Sequence, residues 1–341
     1  MNGHCLSWET LTLRLRHPFR LAHGVSETRQ SFWIRLHDDS GWGEGTIPPY
    51  YGVDSSRMIE CWDRAACLTL PFPENIDEIP HWLPEGPAPA RAALEMALID
   101  RIAKRRGMPL HQLLGIPAAT NLTTSFTIAI DTPDNMARMA TAMSDYPILK
   151  LKLGSDDDES RVAAVRQARP NVKIRVDANA GWAFDQAVTH LQWLGKYDIE
   201  LIEQPLASDQ IQAMGELQGR TSIPIVADES VQTIDDIDQL ARAEIRGVNL
   251  KLMKAGGIIA AHRMLNHARE VGIKVMLGSM IETSLGTTAM AHLAGAADWI
   301  DLDAPLLISN DPFGGIQYDR NARVSIPNRP GIGVMKKEGA S

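Results

Sequence analysis

The chain has 341 residues, of which 44% are hydrophobic and 22% are charged, and its net charge is -8. The length exceeds that of one ordinary domain, so it favours a large barrel plus a smaller domain, and the composition argues against extensive disorder. The negative charge disfavours nucleic acid and anionic membranes as partners, and no run of roughly 18 apolar residues could span a bilayer.

The first 120 residues predict an α+β arrangement. Alternating segments at 5–16 and 31–37 indicate antiparallel strands, and Trp42-Gly43-Glu44-Gly45 continues the meander after a turn at 38–41. A helix is predicted over 90–106, where Leu94, Leu98 and Ile102 share one face and Gly107 ends the run.

Three cysteines lie in this part, at Cys5, Cys61 and Cys67. They form no CxxC pair, and the opening residues MNGHCLSWET contain no apolar signal segment. We therefore expect reduced thiols in a cytoplasmic protein. A disulfide between Cys61 and Cys67 is the alternative, but their spacing in a predicted helix favours plain packing.

From residue 121 onward, short β-branched runs alternate with amphipathic helical windows. This alternation predicts parallel strands joined by right-handed crossovers, and eight strands favour a closed (β/α) barrel over an open doubly wound sheet. The predicted strands are 122–129, 148–153, 172–177, 199–203, 225–228, 248–251, 275–277 and 299–302. The predicted helices are 134–143, 159–168, 185–193, 211–217, 233–243, 258–271 and 284–294.

Acidic residues end three successive predicted strands: Asp177 the third, Glu203 the fourth and Asp228 the fifth. The C-terminal strand ends of a barrel meet at one face, so these carboxylates are expected to lie side by side. A divalent cation would offset their repulsion, and all-oxygen ligation favours Mg²⁺ or Mn²⁺. The alternative, that each acid caps a helix or pairs with a lysine, is weaker for three consecutive strands than for one. Asn179 and Glu229 are predicted to orient the ligands.

Lysines flank these acids. Lys150 and Lys152 are two apart on the second strand and so share one side, and Lys251 ends the sixth strand. Strands two and six are opposed in a ring of eight, so Lys152 and Lys251 would face each other across a substrate. One could remove a proton from carbon while the other delivers a proton to the opposite face, with a metal stabilising the enediolate. A solvated charge is the alternative for any single lysine.

Five segments in order resemble the enolase superfamily, muconate-lactonizing-enzyme subgroup, and Trp42-Gly43-Glu44 is similar to that family's capping domain. The resemblance implies an α/β fold: a modified TIM barrel, (β/α)7β, over residues 121–305, with an N-terminal α+β capping domain over 1–120 that the C-terminal segment 306–341 joins. It also implies one Mg²⁺ per subunit. The five segments are Leu149-Lys150-Leu151-Lys152, Asp177-Ala178-Asn179, Glu203-Gln204-Pro205, Ala227-Asp228-Glu229-Ser230 and Asn249-Leu250-Lys251-Leu252-Met253-Lys254.

Strands seven and eight indicate which reaction of the subgroup is expected. Strand seven contains no histidine, which argues against the acid-sugar dehydratases and mandelate-racemase-like members, where the resemblance implies a histidine base. On strand eight, Asp301 and Asp303 are two apart and so face the same side. This Asp-x-Asp resembles the dipeptide epimerases, in which the pair holds the substrate's α-ammonium. The alternative is that both acids bind a barrel arginine or cap a turn.

The resemblance thus implies a Mg²⁺-dependent dipeptide epimerase that inverts the α-carbon of the C-terminal residue of an L-Ala-L/D-Xaa-type dipeptide. Lys152 and Lys251 would be its acid and base. A small dipeptide is the expected partner, and the oligomeric state is left open, a homo-oligomer included. The residues predicted to bind substrate are Asp301, Asp303, Lys150, Ser279, Met280, Ile281, His23 and Tyr51.

The side chain of that dipeptide stays open. Members of this group that act on Ala-Glu are expected to place an arginine in the loop after Pro18-Phe19, but His23 and Gly24 stand near that site here. Arg20 or Arg29 could substitute, or the pocket could accept apolar residues. Tyr50 and Tyr51 are read equally as pocket residues and as packing or lid residues.

Rival functions have distinct signatures. An N-acylamino-acid racemase or o-succinylbenzoate synthase of the same subgroup would act on acylated substrates and not on free dipeptides. A barrel that only binds a metabolite would show no deuterium exchange, so Lys152→Ala would have no activity to remove. A Schiff-base aldolase would need one lysine and no metal, so chelation separates it.

Overall fold

The structure is a computed structural model, and it describes residues 5–47, 51–119 and 122–339. The chain begins with an antiparallel sheet of β1 (Leu6–Leu21), β2 (Gly24–Leu36) and β3 (Trp42–Thr46). The loop expected after Pro18-Phe19 is a short turn at residues 22 and 23, because β1 continues to Leu21. The β1–β2 register shifts between Arg14 and Phe19, next to Pro18, which has no N–H for the ladder.

Helices α1 (Ser55–Ala66), α2 (Ala88–Arg105) and α3 (Leu110–Leu113) follow the sheet. The predicted helix over 90–106 is confirmed as α2, which is buried along most of its length and packs against β3. A Cβ on Gly43 would lie 1.9 Å from the carbonyl oxygen of Ala93. Glycine at this position therefore permits the close contact between β3 and α2.

Eight parallel strands form the second sheet, in the order of the sequence from β4 to β11. The sequential order is that of a barrel, whereas a doubly wound sheet reverses its order at a switch point. A parallel bridge between Thr124 and Ile300 connects the chain before β4 with β11, which brings the two ends of the sheet together. The strands are β4 (Phe126–Ile128), β5 (Ile148–Lys152), β6 (Lys173–Asp177), β7 (Ile199–Glu203), β8 (Ile225–Ala227), β9 (Gly247–Leu250), β10 (Lys274–Gly278) and β11 (Trp299–Asp301).

Seven connections between these strands carry helices, so the predicted (β/α)7β pattern is confirmed. The first strand is shorter than the predicted 122–129, because Thr123 and Thr124 make only isolated bridges. The barrel helices are α4 (Pro133–Ala142), α5 (Asp158–Ala168), α6 (Phe184–Leu194), α7 (Ile211–Gln218), α8 (Ile234–Arg242), α9 (Leu252–Ala255), α10 (Ile258–Glu270) and α11 (Ser284–Ala291).

After β11 come the short helix α12 (Ala304–Leu307) and four two-residue strands, β12 (Phe313–Gly314), β13 (Gln317–Tyr318), β14 (Val324–Ser325) and β15 (Met335–Lys336). This tail touches the N-terminal part: the N–H of Ile332 donates to Asp100 Oδ1 at 2.8 Å, and the N–H of Ser309 donates to the carbonyl of Arg14 at 2.8 Å. The division into domains at residues 120 and 306 stays a prediction.

The expectation of unpaired thiols is confirmed, since Cys5, Cys61 and Cys67 are all free. In the part of the chain that the structure describes, we find no helix with the length and apolar character needed to cross a bilayer.

Candidate active site

The C-terminal ends of the barrel strands carry the acids and lysines that the sequence singled out. Lys152, Asp177 and Glu203 are direct register partners on β5, β6 and β7. Asp228 follows β8 and Lys251 follows β9. All five side chains are buried. The fold therefore gathers them at one end of the barrel, as strand-end positions predict.

Lys150 lies at the centre of the acidic residues. Its Nζ is 2.9 Å from Asp177 Oδ2, 2.7 Å from Glu203 Oε2 and 2.7 Å from Asp301 Oδ2. Burial alone would lower the pKa of Lys150, but the three carboxylates outweigh burial and raise that pKa well above its ordinary value. Lys150 is therefore a permanent ammonium that links the acids on β6 and β7 to the acid on β11.

The other two lysines each contact a different carboxylate. Lys152 Nζ donates to Asp177 Oδ2 at 2.6 Å and to Asn179 Oδ1 at 3.1 Å, and Lys251 Nζ donates to Asp228 Oδ2 at 2.6 Å. Their strands, β5 and β9, are four steps apart in the ring of eight. Both lysines line one cavity. The structure thus places two ammonium groups on opposite walls of the same space.

Glu203 is electrostatically the least satisfied of the three acids. Burial, followed by the charge of Asp177, raises the pKa of Glu203 to about 8. Its Oε1 accepts from Asn249 Nδ2 at 2.9 Å, but its buried Oε2 has no hydrogen bond, since Lys150 approaches it outside hydrogen-bonding geometry. An orphaned oxygen whose charge is disfavoured by a neighbouring carboxylate is what a cation would satisfy.

Lysines also surround Asp228. Lys254 Nζ lies 2.5 Å from Asp228 Oδ1, and Lys251 occupies the other oxygen. Within the described residues, no group of three His, Cys, Asp or Glu side chains is arranged to hold a metal ion, and the ammonium groups of Lys150 and Lys254 lie against the acids. The oxygen-only donor set, its full burial and the orphaned oxygen of Glu203 nevertheless fit a hard divalent cation.

Two further residues lie beside the acids, as the sequence suggested. Asn179 accepts from Lys152, and its Nδ2 donates to Glu229 Oε1 at 3.2 Å. Burial, then the charges of Asp228 and Asp177, raise the pKa of Glu229 to about 7. These contacts connect the end of β6 with the end of β8.

The end of β11 carries two buried acids in unlike surroundings. Asp301 accepts from Lys150 Nζ at 2.7 Å and from Ser125 Oγ at 2.5 Å, whereas Asp303 Oδ2 accepts from the N–H of Thr127 at 2.6 Å. Burial opposes ionisation of Asp301, but Lys150 holds its pKa below the ordinary range. Burial and the charge of Asp301 raise the pKa of Asp303 to about 7. Among the described contacts, Asp303 therefore has no ion pair to match the one between Asp301 and Lys150.

We call the space between these groups the reaction cavity. Its lining includes eight residues proposed from the sequence: Lys150, Lys152, Lys251, Ser279, Met280, Ile281, Asp301 and Asp303. His23 and Tyr51 are not among the described residues that line it. His23 Nε2 donates instead to the carbonyl of Asn179 at 2.7 Å, and Tyr51 is half-buried against the core. Tyr50 lies outside the described residues.

Several residues that line the reaction cavity are not predicted from the sequence. Phe19 and Leu21 come from β1, and Ile47 directly follows β3. Thr127 and Leu307 come from β4 and α12. Arg29, one of the two arginines considered, lines the cavity, whereas Arg20 lines clefts away from it. The spacing of Ser125 and Thr127 in the first predicted strand indicates that both face the same side, because residues two apart on a strand share a face. This spacing could have predicted polar residues at the cavity from that strand.

Gln204, which follows Glu203 at the end of β7, organises the neighbouring strand end. Its Oε1 accepts from the N–H groups of Asp228 at 2.8 Å and Ser230 at 3.2 Å, while its Nε2 donates to Ser230 Oγ at 2.8 Å. The side chain of Gln204 thus holds the backbone at Asp228 and Ser230 in place, and this positions the side chain of Asp228.

Two family models cover most of the chain. Residues 9–115 match the mandelate racemase / muconate lactonizing enzyme N-terminal domain, and residues 134–340 match the enolase C-terminal domain-like model. An L-Ala-D/L-amino acid epimerase of Pedosphaera parvula is 35% identical over 340 residues, which span 95% of this chain and 97% of that protein.

Solved structures agree with the fold. The substrate-liganded L-Ala-D/L-Glu epimerase of Bacillus subtilis is 34% identical, with a TM-score of 0.89 over 97% of this chain and 98% of that chain. A dipeptide epimerase of Cytophaga hutchinsonii, complexed with Mg and the dipeptide D-Ala-L-Val, is 26% identical, with a TM-score of 0.91 over 98% of this chain and 96% of that chain.

Proposed function

The chain belongs to the enolase superfamily, within the mandelate racemase and muconate lactonizing enzyme family, and from this premise we propose that it is a Mg²⁺-dependent dipeptide epimerase. Its relatives are named epimerases and racemases, which are isomerases. The reaction we propose is inversion of the α-carbon of the C-terminal residue of a dipeptide with a free amino terminus.

One observation carries this proposal: a cavity with lysines on opposite walls also contains a pair of acids at one side. Lys152 and Lys251 suit proton transfer at the two faces of one carbon. Asp301 and Asp303 suit an ammonium group, and Asp303 faces no lysine at hydrogen-bonding distance among its described contacts. A dipeptide offers both features, a weakly acidic α-carbon and a free ammonium.

The residues that would hold the metal are Asp177, Glu203 and Asp228. When bound, a divalent cation supplies electrostatic stabilisation of the negative charge that develops on the substrate carboxylate as the α-proton leaves. Lys150 contributes a fixed positive charge beside the same region, because its three carboxylate contacts keep it protonated.

The two lysines then complete the inversion. One Nζ, as the neutral amine, takes the α-proton from its side of the C-terminal residue, and the opposite ammonium returns a proton to the other face. The number of protons on substrate and enzyme together is unchanged, and the two lysines exchange roles for the reverse direction. We assign Lys152 and Lys251 to these steps because they line the cavity from opposed strands, whereas Lys150, on the same strand as Lys152, contacts three acids.

Supporting roles follow from position. Ser279, Met280 and Ile281 line the wall after β10 and would contact the substrate. Asn179 and Glu229 would orient Lys152 and the neighbouring acids. Substrate contact by His23 and Tyr51 stays a prediction.

Deuterium incorporation tests the proposal. The Mg²⁺-loaded protein, incubated in D₂O with free dipeptides, is expected to place deuterium at the C-terminal α-carbon and to generate the epimer, which NMR and mass spectrometry would detect. Exchange confined to N-acylated amino acids would instead favour the N-acylamino-acid racemase reading. Retention of protium across a broad peptide panel would refute the proposal.

A further inference from the structure

A second cavity of about 370 Å³ adjoins the reaction cavity. It lies between β1, the outer side of β4, helix α4 and the chain at 305–307. Phe19, Thr127 and Leu307 line both cavities. The two spaces are therefore separated by no more than a shared wall of side chains. We call the second space the side cavity.

The chemistry of the side cavity is apolar. Met136, Met139 and Met143 follow one another on one face of the α4 region, and Phe126 and Tyr146 pack beside them with ring centroids 4.9 Å apart. Methionine side chains are flexible and polarizable and so adapt to varied apolar shapes. The charged and ionisable lining residues Arg16, His17 and Asp131 are exposed and lie toward solvent.

The position of Asp303 connects the side cavity to the substrate. Asp303 lines the reaction cavity, and its Oδ2 accepts from the N–H of Thr127, a residue of the shared wall. Burial and the charge of Asp303 also raise the pKa of Tyr146 in the side cavity, so that this carboxylate acts electrostatically on both spaces. An ammonium held by Asp303 would therefore place the carbon that bears it next to the shared wall.

The direction of the attached side chain then follows. The rest of the dipeptide must run from Asp303 toward Lys152 and Lys251, where its C-terminal α-carbon reacts. The side chain of the first residue leaves from the carbon next to the ammonium and cannot occupy that path. The side cavity is an apolar space on this side, because Thr127, whose N–H donates to Asp303, lines it.

We propose that the side cavity is the subsite for the side chain of the N-terminal residue of the substrate, and that it selects a large apolar side chain, such as that of leucine, methionine or phenylalanine, over alanine. The inference rests on the proposed dipeptide epimerase function. Its volume of about 370 Å³ equals that of about twelve bulk water molecules. An alanine methyl would leave most of that space to water, whereas a larger apolar side chain would displace it.

Matched peptides that differ only in the first residue test this subsite. For the Mg²⁺-loaded wild type, kcat/KM for deuterium exchange at the C-terminal α-carbon is expected to be about tenfold or more higher for L-Leu-L-Xaa and L-Phe-L-Xaa than for L-Ala-L-Xaa, the discrimination that apolar pockets achieve. Met139→Trp would fill the side cavity from α4, at a residue outside the reaction cavity. It is expected to remove this preference and to leave the Ala peptide within about twofold of its wild-type value.

Controls keep the outcomes distinct. Met139→Leu should retain the preference, and Met143→Trp provides an independent filling variant if Met139→Trp does not fold, as circular dichroism would show. Equal use of Ala and Leu peptides by the wild type, or an equal loss for both in the filling variants, would overturn the subsite and leave the epimerase function standing. Absence of exchange with every free dipeptide would overturn both.

Discussion

Glu44 in β3 accepts two hydrogen bonds from Thr283 in the barrel, from its N–H at 3.0 Å and from its Oγ1 at 2.5 Å. Glu44 also accepts from the N–H of Gly286 at 2.8 Å and from Ser31 Oγ at 2.7 Å. One buried glutamate therefore connects the N-terminal sheet to the first turn of α11. Only Glu282 and Thr283 separate that turn from Ser279–Ile281, which line the reaction cavity.

Glu44→Ala is expected to lower the free energy of unfolding by about 3 kcal/mol, because it leaves buried N–H and O–H donors without an acceptor. It should also raise KM more than it lowers kcat, since Ser279–Ile281 loses its support. Urea unfolding and steady-state kinetics would measure both effects. Glu9→Gln, an exposed glutamate of β1, is the control, and a change in stability without any change in KM would contradict the link to the cavity wall.

Replacing either opposed lysine should separate the two faces of the reaction. Lys152→Ala is expected to lose proton removal from one configuration of the C-terminal residue, and Lys251→Ala from the other, each by at least about 10³-fold. Initial rates of deuterium incorporation into the L,L and L,D peptides, measured separately, would show this. Lys173→Ala is the control, since this lysine has a side chain that is 65% exposed. The assignment would be contradicted if one variant lost deuterium incorporation into both configurations equally and the other variant lost none.

Mg²⁺ should stabilise the protein through Glu203. At a Mg²⁺ concentration of 100 times its Kd, the wild type is expected to gain about 2.7 kcal/mol in the free energy of unfolding, and EDTA should remove this gain together with deuterium exchange. Without metal, Glu203→Gln is expected to be no less stable than the wild type at pH 7, because burial and the charge of Asp177 disfavour the ionised carboxylate and raise its pKa.

Addition of Mg²⁺ should therefore distinguish the two proteins, since glutamine offers a weaker, neutral ligand. Thermal unfolding with and without Mg²⁺ would measure this. Glu216→Gln, on the exposed face of α7, should respond as the wild type does. An unchanged Mg²⁺ response in Glu203→Gln would show that Glu203 is not a ligand.

Asp303 should give the ligand-free protein a pH-dependent stability. Its folded pKa of about 7 lies above the ordinary value of about 3.9, so the fold favours the protonated acid. This contribution is fully present below about pH 3.9 and is lost as the pH rises through about 7. Asp303→Asn, which carries no charge, is expected to be more stable than the wild type above pH 7, an advantage that disappears at the acid end. Thermal unfolding across this range, with Asp235→Asn on α8 as control, would measure it.

The same residue should make substrate binding pH-dependent. An ammonium binds the ionised form of Asp303, so the affinity for a dipeptide is expected to increase between pH 6 and about 7.5 in the wild type and to change little in Asp303→Asn. Isothermal titration calorimetry with a C-terminal glycine peptide would show the difference. The same increase in the variant would place the ammonium elsewhere.

Arg29 should set the preference for the reacting residue. Its side chain lines the reaction cavity beside Leu21 and Ile47, so we expect it to favour an acidic C-terminal side chain. Arg29→Gln should lower kcat/KM for an L-Xaa-L-Glu peptide about tenfold or more, with a smaller effect on L-Xaa-L-Leu. Arg20→Gln, an exposed change on the same hairpin, is the control. Equal losses on both peptides would assign Arg29 to general substrate binding.

The sequence by itself determined the barrel and the acids and lysines at the C-terminal ends of its strands. Hydrophobic periodicity is a local property, so it can be read from the sequence alone. In a parallel barrel all strands end at the same face, so the sequence alone predicts that Asp177, Glu203 and Asp228 lie side by side. The number of strands between Lys152 and Lys251 predicts that the two lysines lie on opposite sides of the barrel. The Asp301 and Asp303 pair followed from the same alternation along a strand.

Only the tertiary structure decided which other residues line the reaction cavity. Phe19, Arg29, Thr127 and Leu307 come from segments far apart in the chain, and their meeting depends on how the long β1–β2 hairpin lies over the barrel. The choice of Arg29 over Arg20 depends on which side of that hairpin faces inward. The side cavity likewise has walls from three separate elements. Such spaces arise from packing between elements, and no periodicity within a single element encodes them.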